Sequence, residues 1–312
     1  MALSTPINQP IVVEETFVES RHMVWRRFRR HRLAIAGAVV LCVMVAVALL
    51  AAKIAPFDPN MIDQVHWQGN PVAPCFQNTA QCGGHLLGLD ENGRDILSRL
   101  MFGARISLTV AVTAVIMELI IGTLLGALAG YYGGWVDYLL MRLTDVFLAI
   151  PLLPLLLVFT AIVAASSSKA ALGFGTLVLI IGGLSWPGVA RLVRASFLSL
   201  REREYTEAAR AVGNRDGRII VRHLLPNAMA PIIVQATLDI ANVIILESTL
   251  SFLGFGIQPP TASWGNMLSN AEANLEVAWW AAVFPGLCIL VTVLAINYIG
   301  DGLRDALDPN MR

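Results

Sequence analysis

Lysine occurs only twice in this 312-residue chain, at Lys53 and Lys169. That scarcity excludes a nucleotide-binding P-loop, in which a Gly-Lys-Ser/Thr step brings a lysine to the phosphates. Ala52 and Ser168 precede the two lysines, where the motif needs glycine. His-Glu-x-x-His is absent, so a helical zinc-hydrolase motif is missing. Gly-x-Ser-x-Gly is absent too, which counts against a serine hydrolase. Charge as a whole is sparse: 14% of residues are Asp, Glu, Lys or Arg, where a soluble chain carries about a quarter. Hydrophobic residues make up 56% and mean hydropathy is +0.66, which places the chain in a bilayer. Net charge is zero, so no global field draws it to nucleic acid.

The apolar residues fall in long runs. Residues 33–52 contain no charge, and twenty residues of helix span about 30 Å, the thickness of a bilayer core. Five more candidate spans follow, at about 106–130, 138–164, 174–196, 227–251 and 279–300. Backbone groups in lipid must be satisfied within the segment, so these six spans are expected to be helices. The expected fold class is an all-α membrane protein with six transmembrane helices. A cleaved signal peptide is the rival reading of the first span. Its apolar core is longer than the usual one of about 7–15 residues, and 32 residues precede it.

Six spans place both termini on one side, and the basic residues choose the side. Sixteen of the 22 Lys and Arg fall with the termini and the 191–222 loop, and Arg142 falls on the same side; five fall opposite. The N-terminus, that loop and the C-terminus are therefore expected in the cytoplasm. The expected organisation is a cytoplasmic segment 1–32, a first span 33–52, a periplasmic loop 53–105 and a five-helix core 106–312. Residues 197–226 form the cytoplasmic loop of that core. The 17–32 stretch mixes Phe17, Val18, Met23, Val24, Trp25 and Phe28 with arginines. That suits a helix lying in the headgroups, or a bare topology signal.

Gly122, Gly126 and Gly130 recur every four residues on one face of the second span. Small residues in that register let another helix approach closely, either within the chain or from a second subunit. Pro151, Pro154, Pro187, Pro231 and Pro285 fall in or near spans and can kink them. Glu118, Asp145, Asp239 and Glu247 also fall within spans. Buried charge is costly there, so each needs a partner or a cavity. Arg142 is the expected partner of Asp145, three residues away. Asp239 and Glu247 are candidates to line a translocation pathway, or else to bond internally.

In the long loop, Cys75 and Cys82 face the oxidising side, and a disulfide is the first reading. Free thiols are the second. A metal site from His66, Cys75, Cys82 and His85 is a lesser alternative, lacking a tight paired-ligand spacing, and no metal is assigned. Cys42 and Cys288 sit in spans, where they pack.

The most informative stretch lies between the fourth and fifth spans. Glu207-Ala208-Ala209 is followed after three residues by Gly213, and Leu225-Pro226 comes twelve residues later. This spacing resembles the EAA loop of binding-protein-dependent ABC importer permeases. His223 stands where that pattern usually has Ile, as in the dipeptide/oligopeptide/nickel branch. Other segments fit the same branch: Leu87 to Asp90, Gly93 to Arg99, Gly130 to Trp135, Gln258-Pro259-Pro260, Trp264-Gly265, and Gly300 to Pro309. The resemblance covers about 87–309 and points to the C-type permease subunit.

The resemblance implies a type I ABC importer permease fold. It implies a second homologous permease subunit, two cytoplasmic ATPase subunits that bind ATP and Mg, an extracytoplasmic substrate-binding protein and a peptide substrate. This chain itself needs no cofactor. The coupling residues carried over are Tyr205, Thr206, Glu207, Ala208, Ala209, Arg210, Gly213, His223 and Pro226. Glu204 to Val212 is expected to form the coupling helix, with Gly213 ending it and Pro226 starting the fifth span. Glutathione or nickel complexes are alternative substrates within the branch. An ion-coupled secondary transporter and an intramembrane enzyme are the readings outside it.

Overall fold

The computed structural model describes residues 21–77, 82–166 and 173–307. Residues 1–20, including Phe17 and Val18, lie outside them, as do Lys169, Asp308, Pro309 and Arg312. Among the described residues the only strand-like pairings are two isolated bridges, Ile62 with Arg94 and Leu89 with Asp95. Everything else regular is helical.

A short helix α1 (Arg21–Phe28) precedes the first long helix α2 (Arg32–Ile54). Trp25 on α1 is exposed, and its ring stacks against Phe28. The second long helix, α3 (Ile96–Tyr132), starts ten residues before the apolar run of the sequence does. Asp95 sets that start: its carboxylate accepts from the Ser98 amide at 2.7 Å, an N-cap bond for a helix whose first turns are polar. The connection between these two long helices is therefore 55–95, and Arg99 and Arg105 belong to α3.

The next two spans are broken. α4 (Gly134–Ala149) and α5 (Leu152–Ser166) meet at 86°. α6 (Phe174–Ser185) and α7 (Pro187–Arg201) meet at 43°. Each break precedes a proline, Pro151 or Pro187, whose ring disfavours helical backbone in the residue before it. Among the described residues four helices are thus long and apolar enough to cross alone, or up to six spans if each bent pair counts as one.

The fifth span begins earlier than its apolar run. After α8 (Glu204–Ala211), α9 (Asp216–Ile219) leads through a π-helical turn, 220–224, into α10 (Leu225–Phe252). Pro226 therefore lies inside a helical run that begins at Asp216, rather than ending a loop. Proline has no N–H for the carbonyl four residues back and its ring crowds that carbonyl, so a wider turn just before it accommodates both defects. α11 (Trp264–Ala271) and α12 (Trp279–Leu307) complete the chain. Pro231 and Pro285 sit within α10 and α12.

The helices pack around α3, and close approach is achieved with small residues. A Cβ on Gly37 of α2 would fall 2.5 Å from the Ala295 carbonyl oxygen of α12. Trp264 is fully buried against α3, its Nε1 donating to the Leu100 carbonyl at 3.2 Å. Val39, Leu49, Ile120, Leu124 and Leu179 are exposed apolar side chains, as a lipid-facing surface requires. The contacts also sort the two ends. Phe28 approaches Gly302 of α12, and Tyr131 bonds to Asp216, so α1, α8, α9 and the end of α12 share one end. The 55–95 segment and α11 occupy the other.

Candidate functional site

α8 is a two-turn helix with one face in and one face out. Thr206 and Ala209 are buried, while Tyr205, Glu207, Ala208 and Arg210 are exposed. The Thr206 hydroxyl donates to the Leu200 carbonyl at 2.9 Å, and Ala209 joins an apolar cluster with Val193, Phe197 and Ile219. Of the two alanines expected to dock a partner, only Ala208 faces outward; Ala209 packs into this chain's own core. The helix stops in a Schellman arrangement. Gly213 has φ +81, its amide donates to the Arg210 carbonyl at 3.0 Å, and the Asn214 amide donates to the Ala209 carbonyl at 3.2 Å.

α8 and α9 are tied to the membrane helices through Arg210 and through Tyr131 and Asp216, to which the sequence reading gave no role. The Tyr131 hydroxyl donates to Asp216 Oδ1 at 2.7 Å, and the Arg210 guanidinium lies 5.8 Å from the Tyr131 ring centroid. Arg194 of α7 grips Asp137 of α4 with two bonds, the Nη2 one at 2.6 Å. Beneath them, α3 lies directly on α7. A Cβ on Gly122, Gly126 or Gly130 would fall 2.6, 2.4 or 2.6 Å from Val189, Ala190 or Phe197 atoms respectively. The glycine face thus makes a contact within the chain. His223 is half-buried in the π-helical turn, and its carbonyl accepts from Asn227 Nδ2 at 2.6 Å. Pro226 is exposed at the start of α10.

The acids within the spans differ from one another. Glu247 of α10 is fully buried and bonded within the chain. The Ser107 hydroxyl donates to its Oε2 at 3.0 Å and the Ser251 hydroxyl to its Oε1 at 2.7 Å. That arrangement joins α3 to α10, and gives Glu247 the internal role rather than a pathway-facing one. Asp239 accepts from Gln235 Nε2 at 2.9 Å through one oxygen; its other, Oδ2, is buried with no hydrogen-bond partner in good geometry. Glu118 is buried within electrostatic range of Asp239. Asp145 pairs with Arg191 of α7, not with Arg142, which lies over the Tyr138 ring instead. α4 packs against α7, and this brings a cation from a distant part of the sequence closer than the local one.

Two family profiles match this chain. One, described as binding-protein-dependent transport system inner membrane component, matches residues 122–312. The other, the N-terminal TM domain of oligopeptide transport permease C, matches residues 21–72. This chain belongs to that family of transport-system membrane components. The glutathione transport system permease protein GsiD of Escherichia coli O6:K15:H31 (strain 536 / UPEC) is 41% identical over 304 residues, covering 97% of this chain and 95% of the relative. The protein of that name from Shigella boydii serotype 4 (strain Sb227) matches equally. In fold, the chain is similar to a chain of an inward-facing MetNI methionine ABC transporter. That likeness has a TM-score of 0.54 at 17% identity, covering 68% of this chain and 98% of the other. The protein is thus a multi-pass inner-membrane permease subunit of an ABC importer, in the peptide and nickel branch.

Outside the spans, the permease carries a compact polar group in its 55–95 segment. Cys75 and Cys82 are joined, their sulfurs 2.19 Å apart, so neither thiolate is free to hold a metal. Asp63, His66 and His85 each present a ligand-type atom, all within 4.8 Å of one another. Burial alone raises the Asp63 pKa, but hydrogen bonds from His85 and His66 and from two backbone amides outweigh it and hold the carboxyl well below its usual range. Sequence reasoning named both histidines and missed Asp63 and Asp95. The Asp63-x-x-His66 spacing was the available signal.

Proposed function

We propose that this permease forms half of a translocation pathway for glutathione-sized peptides and is driven through α8 by a separate ATPase. The observation that carries the reading is the two-faced α8. It presents Tyr205, Glu207, Ala208 and Arg210 outward while Thr206 and Ala209 seat it on the helices that cross the membrane. A small residue beside an acid suits a groove in a partner, and the buried face makes the helix a lever rather than a tether. In this reading α1, α8 and the end of α12 face the cytoplasm, and the 55–95 segment faces a substrate-binding protein on the other side. A second homologous permease subunit supplies the other half of the pathway. Two ATPase subunits bind the ATP and Mg. Asp239, held by Gln235 and with Asn242 beside it, is the pathway candidate of the two acids first considered. The likeness to permeases named for glutathione transport supports the substrate class.

The test is reconstitution with the cognate partners. Glu207→Arg combined with Gly213→Pro is expected to abolish ATP-driven uptake while leaving the permease inserted and folded. Ala208→Cys is expected to cross-link to the ATPase. Uptake that survives the double substitution, or an ATPase that never associates with the permease, overturns the coupling role. Labelled glutathione, dipeptides and nickel complexes supplied with the partner binding protein decide the substrate.

A further inference from the structure

We infer that the 55–95 segment holds a divalent transition-metal ion of the zinc class on Asp63, His66 and His85, with Asp95 orienting His85. The inference is independent of the coupling role of α8. It begins with a hydrogen-bond count. His85 is buried and sets each ring nitrogen against a carboxylate: Nδ1 lies 2.9 Å from Asp95 Oδ1, and Nε2 lies 3.0 Å from Asp63 Oδ2. His66 Nδ1 lies 2.8 Å from the same Asp63 oxygen. A neutral imidazole has one N–H and one lone pair. It can satisfy one of these carboxylates, and something positive must lie between its other nitrogen and the second.

The grouping itself points to a cation. One ligand-type atom each from Asp63, His66 and His85 lies within 4.8 Å of the others, and the buried Asp95 carboxylate stands behind the His85 ring. The donor types agree. Imidazole nitrogen with carboxylate oxygen suits zinc, nickel and copper, whereas calcium and magnesium want oxygen alone. The Asp63 oxygen stands 2.8 and 3.0 Å from the two nitrogens, so an opening of about 0.3–0.6 Å would bring them to the ~3.3–3.4 Å edge of a tetrahedron with ligand bonds of about 2.0–2.1 Å. The outer partner is also in place. Asp95 accepts from His85 Nδ1–H, which leaves the Nε2 lone pair aimed at the ion, the carboxylate–histidine–metal relation.

The surroundings hold the ligands without closing the site. The Phe57 ring lies 4.2 Å from the His85 ring, centroid to centroid, and fixes its plane. A Cβ at Gly83, beside the Cys82 bridge, would fall 2.6 Å from the His66 ring, so this turn needs a glycine there. An open cavity of about 480 Å³, lined by Asp63, His85 and Asp95 among others, gives access. Three protein ligands leave a fourth position for water or another donor. The ion would pin residues 63–66 to the start of α3.

The test uses the full chain in detergent, without a polyhistidine tag, stripped with chelator and titrated with Zn²⁺ against a competing chelator. One equivalent is expected to bind. His66→Gln and Asp63→Asn are each expected to weaken binding at least tenfold, and Asp95→Asn by about 10–100-fold; asparagine still caps α3. His31→Gln with His223→Gln, at the far end, is expected to change nothing. Co²⁺ in place of Zn²⁺ is expected to give the visible bands of a four-coordinate site, lost in His66→Gln. If His66→Gln folds like the parent and binds Zn²⁺ equally, or the parent binds none, the proposal fails and His85 is a doubly hydrogen-bonded structural group.

Discussion

Replacing Gly126 by alanine tests how tightly α3 and α7 are joined. The new Cβ would fall 2.4 Å from the Ala190 carbonyl oxygen and 2.8 Å from the Val193 Cβ. The oxygen belongs to backbone and cannot rotate aside, so α7 must retreat by about 1 Å to restore ordinary contact. Overpacking of this kind costs about 1–3 kcal/mol. Alanine also gains about 1 kcal/mol over glycine inside a helix. The net for Gly126→Ala is thus about 0–2 kcal/mol of destabilisation. Gly188→Ala is the internal reference: its Cβ meets nothing within 4 Å, so only the propensity gain of up to about 1 kcal/mol remains. Unfolding of the two variants, followed by tryptophan fluorescence in detergent, is expected to separate their midpoints by on the order of 5 °C, Gly126→Ala the lower. If Gly126→Ala is as stable as Gly188→Ala, the close approach of α3 to α7 is wrong. A looser interface that kept its fold would also uncouple α8, so ATP-driven uptake should fall further than stability does.

Other perturbations follow from the same contacts. Tyr131→Phe removes the bond to Asp216 and is expected to cost about 1 kcal/mol, with faster hydrogen exchange across α8 and α9 than in the parent. Glu247→Ala orphans the Ser107 and Ser251 hydroxyls in the core and is expected to cost about 2–4 kcal/mol, seen as loss of folded protein after solubilisation. Asp239→Asn, in contrast, is expected to leave folding intact and alter uptake; unchanged uptake would remove Asp239 from the pathway. Reducing the Cys75–Cys82 bridge opens a loop of seven-residue separation. That is expected to cost the 55–95 segment about 2 kcal/mol, read as increased proteolysis there without loss of the membrane helices.

What the sequence determined by itself is whatever depends on composition and local spacing. Long runs without charge can only be helices in lipid, because no water is there to satisfy an open backbone. The Glu207-Ala208-Ala209…Gly213 spacing identified the family, and the left-handed geometry at Gly213 is one that glycine adopts without cost. Helix bounds set by polar groups were not legible. Asp95 starts α3 in a stretch with little apolar character, and a π-helical turn carries the fifth span back to Asp216. Only the tertiary structure decided partners. Asp145 met Arg191 rather than Arg142, Ala209 turned inward while Ala208 stayed out, and Asp63 joined His66 and His85. Spacing along a chain fixes which residues share a helix face, but which distant side chain arrives opposite that face depends on the bends at Pro151 and Pro187 and on the packing they permit.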